Sequence, residues 1–322
     1  MKKEKKNNIL LIDLNSDGMR LDNFLLKTLK GLPKARIYSM IRKGEVRINS
    51  KRAKPMTRLK TDDLIRIPPH LVPGKPKEKN PSKTMDLNWI DEIILHEEKG
   101  FLVVNKPSGL AVHGGSGVSF GLIELIRQHR DKKYETLELV HRIDKETSGI
   151  LLIAKKRSSL RRLHQYFREG SVKKNYQALL LGKDHDPSFI IDQPIRIDRS
   201  NKQRKSIIDT KGLKAITKFK LLENMNHASL FEISPITGRT HQIRAHSAFI
   251  NKPIAGDNKY GIKHDIVQEK FGLKRLFLHA SEISFPGFET SQSNYKFRAD
   301  LPEELKNIIS NIKRSNQENS ES

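Results

Sequence analysis

The sequence predicts an α+β protein in which a small N-terminal α/β module precedes a domain built on a large mixed or antiparallel β-sheet. Strand patterns dominate the chain after residue 87, and helical patterns are interspersed rather than strictly alternating with them. A stretch with four prolines and few apolar residues separates the two parts. The predicted division is an extension at 1–19, the module at 20–68, a linker at 69–86, the larger domain at 87–314 and a disordered tail at 315–322.

Two helices and three short strands are predicted within the N-terminal module. Leucines from Leu21 to Leu29 form a helical stripe that Gly31 closes. Pro33 opens a second helix, for which Gly44 is the stop signal. Residues 45–54 then predict two strands around an Asn-Ser turn, and residues 63–68 predict a closing strand.

The larger domain carries six strand patterns and three helical ones. The predicted strands lie within 92–98, 101–107, 150–156, 176–182, 215–222 and 228–236. The predicted helices lie within 119–130, 158–169 and 240–250.

The charge of the chain indicates a polyanionic partner. The net charge is +24, and residues 1–83 alone carry 22 basic and 8 acidic side chains. Nucleic acid is the simplest partner for such a balance, although a general bias towards lysine also adds basic residues. The module's basic side chains are either an RNA phosphate-binding surface or a solvated face. They are Lys34, Arg36, Arg42, Lys43, Arg47, Lys51 and Arg52.

The composition also excludes some classes. The chain has no cysteine, which excludes disulfides and thiolate metal sites and fits a reducing compartment. The apolar stretch near the N-terminus, Ile9 to Ile12, is too short for a signal peptide. No apolar run approaches the roughly 18 residues of a membrane span. These observations predict a cytoplasmic protein.

Two loops of the larger domain have compositions suited to chemistry. The glycine-rich stretch 105–117, which contains His113, lets backbone approach a ligand or is an ordinary turn. Asp144 lies between Arg142 and Lys145 just before an apolar strand. Its neighbours would keep its carboxylate ionised, as a nucleophile or general base requires, but a structural ion pair gives the same pattern.

Two further stretches are ambiguous when read alone. Tyr176 lies in an apolar strand, where a core tyrosine is the simpler interpretation. The stretch 234–261 places basic residues near a helix start that Thr240 can cap. It is an anion site or a capped surface helix, and its histidines, five residues apart, do not have a zinc-site spacing. The basic residues are Arg239, His241, Arg244 and His246.

Several motifs together resemble two known families. "RLDNFLLKTLKGLPKARIYSMIRKGEVRIN" resembles the S4-type RNA-binding domain. "HRIDKETSGILLIAKK" resembles the catalytic motif of the RluA-type pseudouridine synthases, with Ile143 where leucine is usual. "KPSGLAVHGG", "KNYQALL", "SPITGRTHQIRAH" and "RLFLHA" match further motifs of that family in the same order.

The resemblance implies a pseudouridine synthase fold and isomerisation of uridine in RNA without cofactor or metal. It implies that Asp144 is the essential residue, which attacks C1′ of the ribose or takes a proton from C2′. Arg239 would pair with Asp144, and Tyr176 would pack on the target base and act in the final C5 deprotonation. Further pocket or RNA contacts are assigned to Arg142, Leu278, His113, Thr240 and His241.

The resemblance further implies that the partner is large-subunit (23S) ribosomal RNA. A monomer is expected. Three alternatives remain open. A non-catalytic RNA-binding or assembly factor would suit the charge but has no need of the aspartate, tyrosine and arginine. A retaining glycosidase needs a second carboxylate about 5 Å from the first. A synthase acting on other rRNA sites or on tRNA stays within the same class, and the S4-like module disfavours the tRNA-directed members that lack one.

Overall fold

The structure, a computed structural model, consists of two compact units. Its described residues are 8–13, 16–29, 31–71, 86–114, 120–130, 136–198, 205–288 and 293–318. Contacts within the chain divide it into Met1–Met85 and Asp86–Ser322.

The smaller unit packs two helices on a four-stranded antiparallel sheet. The helices are α1 (Leu21–Thr28) and α2 (Lys34–Lys43), and the strands, in sheet order, are β1 (Ile9–Leu11), β4 (Leu64–Arg66), β2 (Arg47–Ile48) and β3 (Lys51–Arg52). Both helices and the three predicted strands are confirmed. Asn49 and Ser50 adopt left-handed φ angles of 48° and 67°, as the two-residue turn of a tight hairpin requires.

The smaller unit begins before the predicted boundary at residue 20. Strand β1 pairs with β4, and Ile12 is fully buried in the unit's apolar core, so residues 9–12 are not a separate extension. Three apolar residues are too few to show strand periodicity, which is why the sequence did not reveal them. Part of the predicted linker, Pro69–Leu71, is a short 3₁₀ helix. Residues 72–85 lie outside the described residues.

The larger unit is built on a ten-stranded, mostly antiparallel sheet, which confirms the predicted sheet type. Its strands are β5 (Ile94–Glu97), β6 (Phe101–Lys106), β7 (Glu138–Leu139), β8 (Ser148–Ala154), β9 (Lys173–Leu181), β10 (Ser188–Asp192), β13 (Ile216–Asn224), β14 (Ala228–Pro235), β15 (Leu278–Phe285) and β16 (Tyr295–Arg298). The order is β10-β13-β14-β9-β15-β8-β6-β5, with β16 beside β15 and β7 beside β8. Strands β8 and β15 pair in parallel. A separate hairpin joins β11 (Ile195–Asp198) to β12 (Lys205–Ile208).

Both faces of this sheet are covered at its centre. The helices are α3 (Trp89–Glu92), α4 (Leu122–His129), α5 (Arg157–Glu169), α6 (Gln242–Phe249), α7 (Ile266–Phe271) and α8 (Glu303–Glu318). Alternate residues of β8 enter two different cores: Leu151 and Ile153 one, Ile150 and Leu152 the other. Helix α5 covers the second core. Burial on both faces explains why β8 is apolar throughout.

The predicted tail at 315–322 is partly helical. Helix α8 continues to Glu318, whereas residues 319–322 lie outside the described part. Leu305, Ile308 and Ile312 are buried at helical spacing, so packing of this apolar stripe supports a helix whose last turn is polar. Within the described residues, no helix is both long and apolar enough to span a membrane.

Candidate active site

Asp144 lies on the loop between β7 and β8, and the glycine-rich stretch predicted from sequence braces that loop. The fully buried ammonium of Lys106 donates to the carbonyl oxygens of Pro107, Leu110 and Lys145 at 2.8, 2.8 and 3.0 Å. Ser108 Oγ donates to the Glu146 carbonyl at 2.7 Å. Burial and the charge of Arg275 lower the pKa of Lys106 to about 7. Burying this ammonium therefore costs free energy, and in its buried position the ammonium holds the aspartate loop.

Gly149 allows a second strand to approach the end of the aspartate loop. Its φ is +107°, and a Cβ atom there would lie 2.3 Å from the carbonyl oxygen of Ala280 on β15. Only glycine tolerates both conditions. The parallel pairing of β8 with β15 that results brings Leu278, at the start of β15, to the pocket that Asp144 lines.

The arginine beside Asp144 is Arg244, which corrects the sequence-based pairing with Arg239. Arg244 Nη1 lies 3.4 Å from Asp144 Oδ2. Arg239 instead donates from Nε to the Lys214 carbonyl at 2.9 Å and is exposed at the rim of the pocket. The difference arises because Arg239 precedes α6, whereas Arg244 is one of the buried residues within that helix.

A second carboxylate holds Arg244 in place. Asp257 accepts from Nε and Nη2 of Arg244 at 2.8 and 2.7 Å, a two-point contact in which both side chains are buried. Burial opposes the charge on Arg244, but the bonds to Asp257 and the charge of Asp144 raise its pKa above the ordinary value. Burial likewise opposes the charge on Asp257, whose pKa Arg244 nevertheless lowers. Asp144 therefore faces a permanently charged, fixed guanidinium.

His241 provides a third group near the carboxylate. It starts α6 in the left-handed conformation, with Nε2 3.9 Å from Asp144 Oδ2 and Nδ1 2.9 Å from the hydroxyl of Tyr260. Burial and the charge of Arg244 lower the pKa of His241, and Asp144 opposes them only in part. The imidazole is thus neutral near pH 7 and contacts the pocket as a polar, uncharged group.

Tyr176 and Leu278 form an apolar part of the pocket lining. Tyr176, on β9, is 9% exposed, and Leu278 is 3% exposed. Burial, reinforced by the charge of Asp144, raises the pKa of the Tyr176 phenol, so the hydroxyl stays protonated at neutral pH. The pocket therefore combines one carboxylate, a fixed cation and apolar surface large enough to contact a planar ring.

The remaining predicted site residues lie at the rim or beyond it. Arg142 and Thr240 line the pocket and are exposed. Thr240 does not cap α6. The residue at the N-cap position is His241, and its side chain makes no capping hydrogen bond. The side chain of Gln242, the first residue of the helix, accepts a hydrogen bond from the Arg239 amide at 3.0 Å. His113 is exposed and is not among the pocket-lining residues.

Several residues of the site were not predicted from the sequence. Lys106, Asp257 and Tyr260 hold the loops and the arginine, and Lys174 lines the pocket two residues before Tyr176. A lysine that ends an apolar strand was the sequence feature that could have indicated Lys106. His246 is structural, since its ring nitrogens contact Thr217 Oγ1 and the Gln193 carbonyl. In the described ranges, no cluster of His, Asp or Glu suits a metal ion.

The basic side chains predicted for the smaller unit lie on its surface, with one exception. Arg36 is partly buried and pairs with Glu45 at 3.1 Å. The others are exposed: Lys34, Arg42, Lys43, Arg47, Lys51 and Arg52. Six exposed cations on α2 and the β2–β3 hairpin therefore remain available for a polyanion.

Comparison with known proteins supports both units separately. Residues 100–249 match the family model described as RNA pseudouridylate synthase, and residues 19–65 match the S4 domain. Among solved structures, human RNA pseudouridylate synthase domain containing 4 superposes with a TM-score of 0.58 at 27% identity. That match covers 70% of this chain and 95% of the human one.

Curated relatives match almost the whole chain. A ribosomal large subunit pseudouridine synthase C from Pasteurella multocida is 43% identical over 97% of this chain and 95% of its own. A protein of the same name from Haemophilus ducreyi is 44% identical, with 95% of this chain and 96% of the relative covered. A third, from Vibrio parahaemolyticus, is 42% identical over 97% of this chain and 99% of its own.

Proposed function

The chain belongs to the RNA pseudouridylate synthase family, and from that premise we propose that it isomerises specific uridines of large-subunit ribosomal RNA to pseudouridine. The curated relatives carry the substrate in their name, and they match the chain over both units. The observation that carries the proposal for the site is the fixed contact of Arg244 with Asp144 in an otherwise partly apolar pocket.

In the proposed reaction, Asp144 acts on the ribose of the target uridine. The glycosidic bond between N1 and C1′ breaks, the uracil turns, and a bond forms between C5 and C1′. Asp144 either attacks C1′, forming an ester that is displaced when C5 bonds to C1′, or takes the proton from C2′ and returns it after the new bond forms. Both routes need an ionised carboxylate. Arg244 lies beside the carboxylate and orients it. The isomerisation involves no net redox change or hydrolysis, so we propose that it needs no cofactor.

The uracil is proposed to occupy the part of the pocket lined by Tyr176 and Leu278. An aromatic ring and an aliphatic side chain suit the faces of a planar base. Tyr176 is also the candidate for the final removal of the C5 proton. Because its pKa is raised and its hydroxyl is protonated, the phenol oxygen accepts that proton as the hydroxyl proton passes to a base, for which Asp144 is the carboxylate lining the same pocket. The target must leave its stack to reach Asp144, and Arg142, exposed at the rim, is the candidate to fill the space it leaves.

The smaller unit is proposed to add affinity through the RNA backbone. Its exposed cations lie on a helix and a hairpin, where they can contact RNA phosphates whatever the sequence. The choice of uridine would then depend on the larger unit and on the local shape of the RNA.

The test is incubation of unmodified large-subunit rRNA with the wild-type protein and with the Asp144→Asn variant. Pseudouridines are mapped by carbodiimide labelling and primer extension. We expect stops with the wild type and none with the variant, since the amide can neither attack C1′ nor take a proton. Retained melting temperature and RNA binding in the variant control for folding.

Other outcomes separate the remaining candidates. Binding without stops by either protein would identify a non-catalytic RNA-binding factor. Stops from both proteins would retain the synthase and reject Asp144 as its essential residue. A retaining glycosidase is disfavoured, because Asp144 is the one carboxylate among the described residues that line the pocket.

A further inference from the structure

Lys174 lines the same pocket as Asp144, although no step of the reaction above uses it. It lies on β9 two residues before Tyr176, and residues two apart on a strand point to the same face. Its Nζ lies 5.7 Å from the centre of the Phe167 ring. A Cβ atom added to Gly238, which is exposed, would lie 3.7 Å from this Nζ, so the ammonium is near the mouth of the pocket.

Among the described residues, the partner of the Lys174 ammonium is the Phe167 ring. Within the described residues, it makes no hydrogen bond and has no carboxylate within ion-pair distance. Partial burial lowers the pKa of Lys174, because it takes part of the cation's surface out of water. A cation–π contact offsets only part of that cost.

Three buried or nearly buried cations of the larger unit have polar partners on the protein. Lys106 has three carbonyl oxygens, and Arg244 has the two oxygens of Asp257. Lys155, 10% exposed, bonds to Glu97 and to the Glu98 carbonyl. Lys174 differs from these because it lines the pocket and donates no hydrogen bond to the described residues. This arrangement is expected of an ammonium whose hydrogen bonds are accepted by a substrate.

The position of the Lys174 ammonium near the mouth of the pocket indicates which part of the RNA binds it. With the base against Tyr176 and Leu278 and the ribose against Asp144, the phosphates of the target nucleotide lie towards the mouth. Gly238 has no side chain there to occupy the space next to Nζ. Building on the proposed function, we propose that Lys174 binds a phosphodiester adjoining the target uridine and so seats the flipped nucleotide.

The test combines a neutral side chain with a neutral phosphate. Lys174→Met is compared with wild type, with Lys174→Arg and with Lys173→Met, whose lysine is the exposed neighbour. The probe is a synthetic rRNA hairpin centred on a uridine that the wild type converts. It carries a methylphosphonate 5′ or 3′ of that uridine, and the nucleotide before the altered linkage is 2′-deoxy, as in matched phosphate controls.

One of the two methylphosphonates should weaken wild-type binding about tenfold or more, the scale of a hydrogen bond between charged groups. The same linkage should have little further effect on Lys174→Met, which already lacks the contact. Lys174→Arg should respond as the wild type does, and Lys173→Met should be unchanged. KM should rise in Lys174→Met by more than kcat falls.

Three results would overturn the proposal. The wild type could bind both methylphosphonates as well as the phosphate control, a result that holds even if Lys174→Met fails to fold. The neutral linkage could weaken wild type and Lys174→Met equally. A fall in kcat without a rise in KM would indicate that Lys174 contacts the reacting uracil rather than a phosphate. If the wild type converts no uridine in rRNA, the proposed function fails and this inference with it; if it does convert uridines, only this inference is at stake.

Discussion

The Asp144 carboxylate lies 3.4 Å from a guanidinium nitrogen of Arg244, one hundred residues further along the chain. Arg244 in turn makes two hydrogen bonds to Asp257, so the cation beside Asp144 is itself anchored. This geometry separates two arginines that the sequence alone could not distinguish.

Arg244→Met should lower kcat by at least about a hundredfold, because Asp144 loses its electrostatic partner. It should also reduce stability by about 3–5 kcal/mol, since Asp257 is left buried without a cation. Single-turnover conversion of rRNA and thermal melting measure the two effects. Arg239→Met is the matched control, and it should keep kcat within a few-fold. The reverse pattern would restore the pairing expected from the sequence.

Tyr176→Phe should retain RNA affinity and thermal stability but slow conversion by about a hundredfold or more, the usual range for loss of an acid–base group. The ring surface is preserved and only the hydroxyl is removed. Filter binding and single-turnover assays separate the two properties. Unchanged turnover would leave Tyr176 a packing role only.

The protein should lose stability as the pH falls from about 6.5 towards 4.5. Burial lowers the pKa of His141 to about 3 and that of His279 to about 4, from 6.5. In this pH window the two histidines bind protons in the unfolded chain but not in the folded one. Lowering the pH therefore reduces the free energy of unfolding, by up to about 1.4 kcal/mol per pH unit for each histidine.

Urea denaturation at several pH values measures this slope. His141→Gln should reduce the slope between pH 6.5 and 4.5, after allowance for its own lower stability. Carboxylates with lowered pKa values, such as Asp22 at about 2 from 3.8 and Glu282 from 4.5, add to acid lability mainly below this window. If the slope is unchanged in His141→Gln, groups other than His141 cause the pH dependence of stability.

Replacing Arg47, Lys51 and Arg52 by alanine should weaken RNA binding and make it less sensitive to salt. Each lost phosphate contact reduces the slope of log affinity against log salt by about 0.7–0.9. Titrations at several salt concentrations measure the slope. Alanines at Lys218, Lys220 and Lys263, exposed lysines of the larger unit, serve as the control. Equal losses in both sets would indicate net charge rather than a surface of the smaller unit.

Gly149→Ala should destabilise the larger unit and abolish activity together. The added Cβ would lie 2.3 Å from the Ala280 carbonyl, and the residue's φ of +107° disfavours any side chain. Melting temperature and conversion report the two effects. Gly170→Ala, at a φ of +73° with nothing within 4 Å, controls for backbone strain alone and should be active.

The strands of the larger unit could be predicted where apolar residues run continuously, as in β8, or alternate, as in β13. Strand β15 could not, because its sequence interrupts the apolar pattern with His279, Ser281 and Glu282. Its parallel partner lies more than one hundred residues away, and no local pattern encodes such a pairing.

The candidate site divides in the same way. Motif resemblance located Asp144, Tyr176 and Leu278, which the structure brings to one pocket. It did not identify the arginine, because Arg239 and Arg244 flank one helix start and their directions depend on the left-handed turn at His241. Lys174 carried no signal in the sequence, since an unpaired ammonium is visible only once its neighbours are known.

The position of β15 between β9 and β8 has a consequence for how the protein is made. The ribosome releases β8 and β9 well before residue 278, so the centre of the sheet stays open until β15 has emerged. Long-range pairing of this kind is a slow step in folding. Because β15 also supplies Leu278, the pocket of a nascent chain is incomplete until β15 has been synthesised and has joined the sheet.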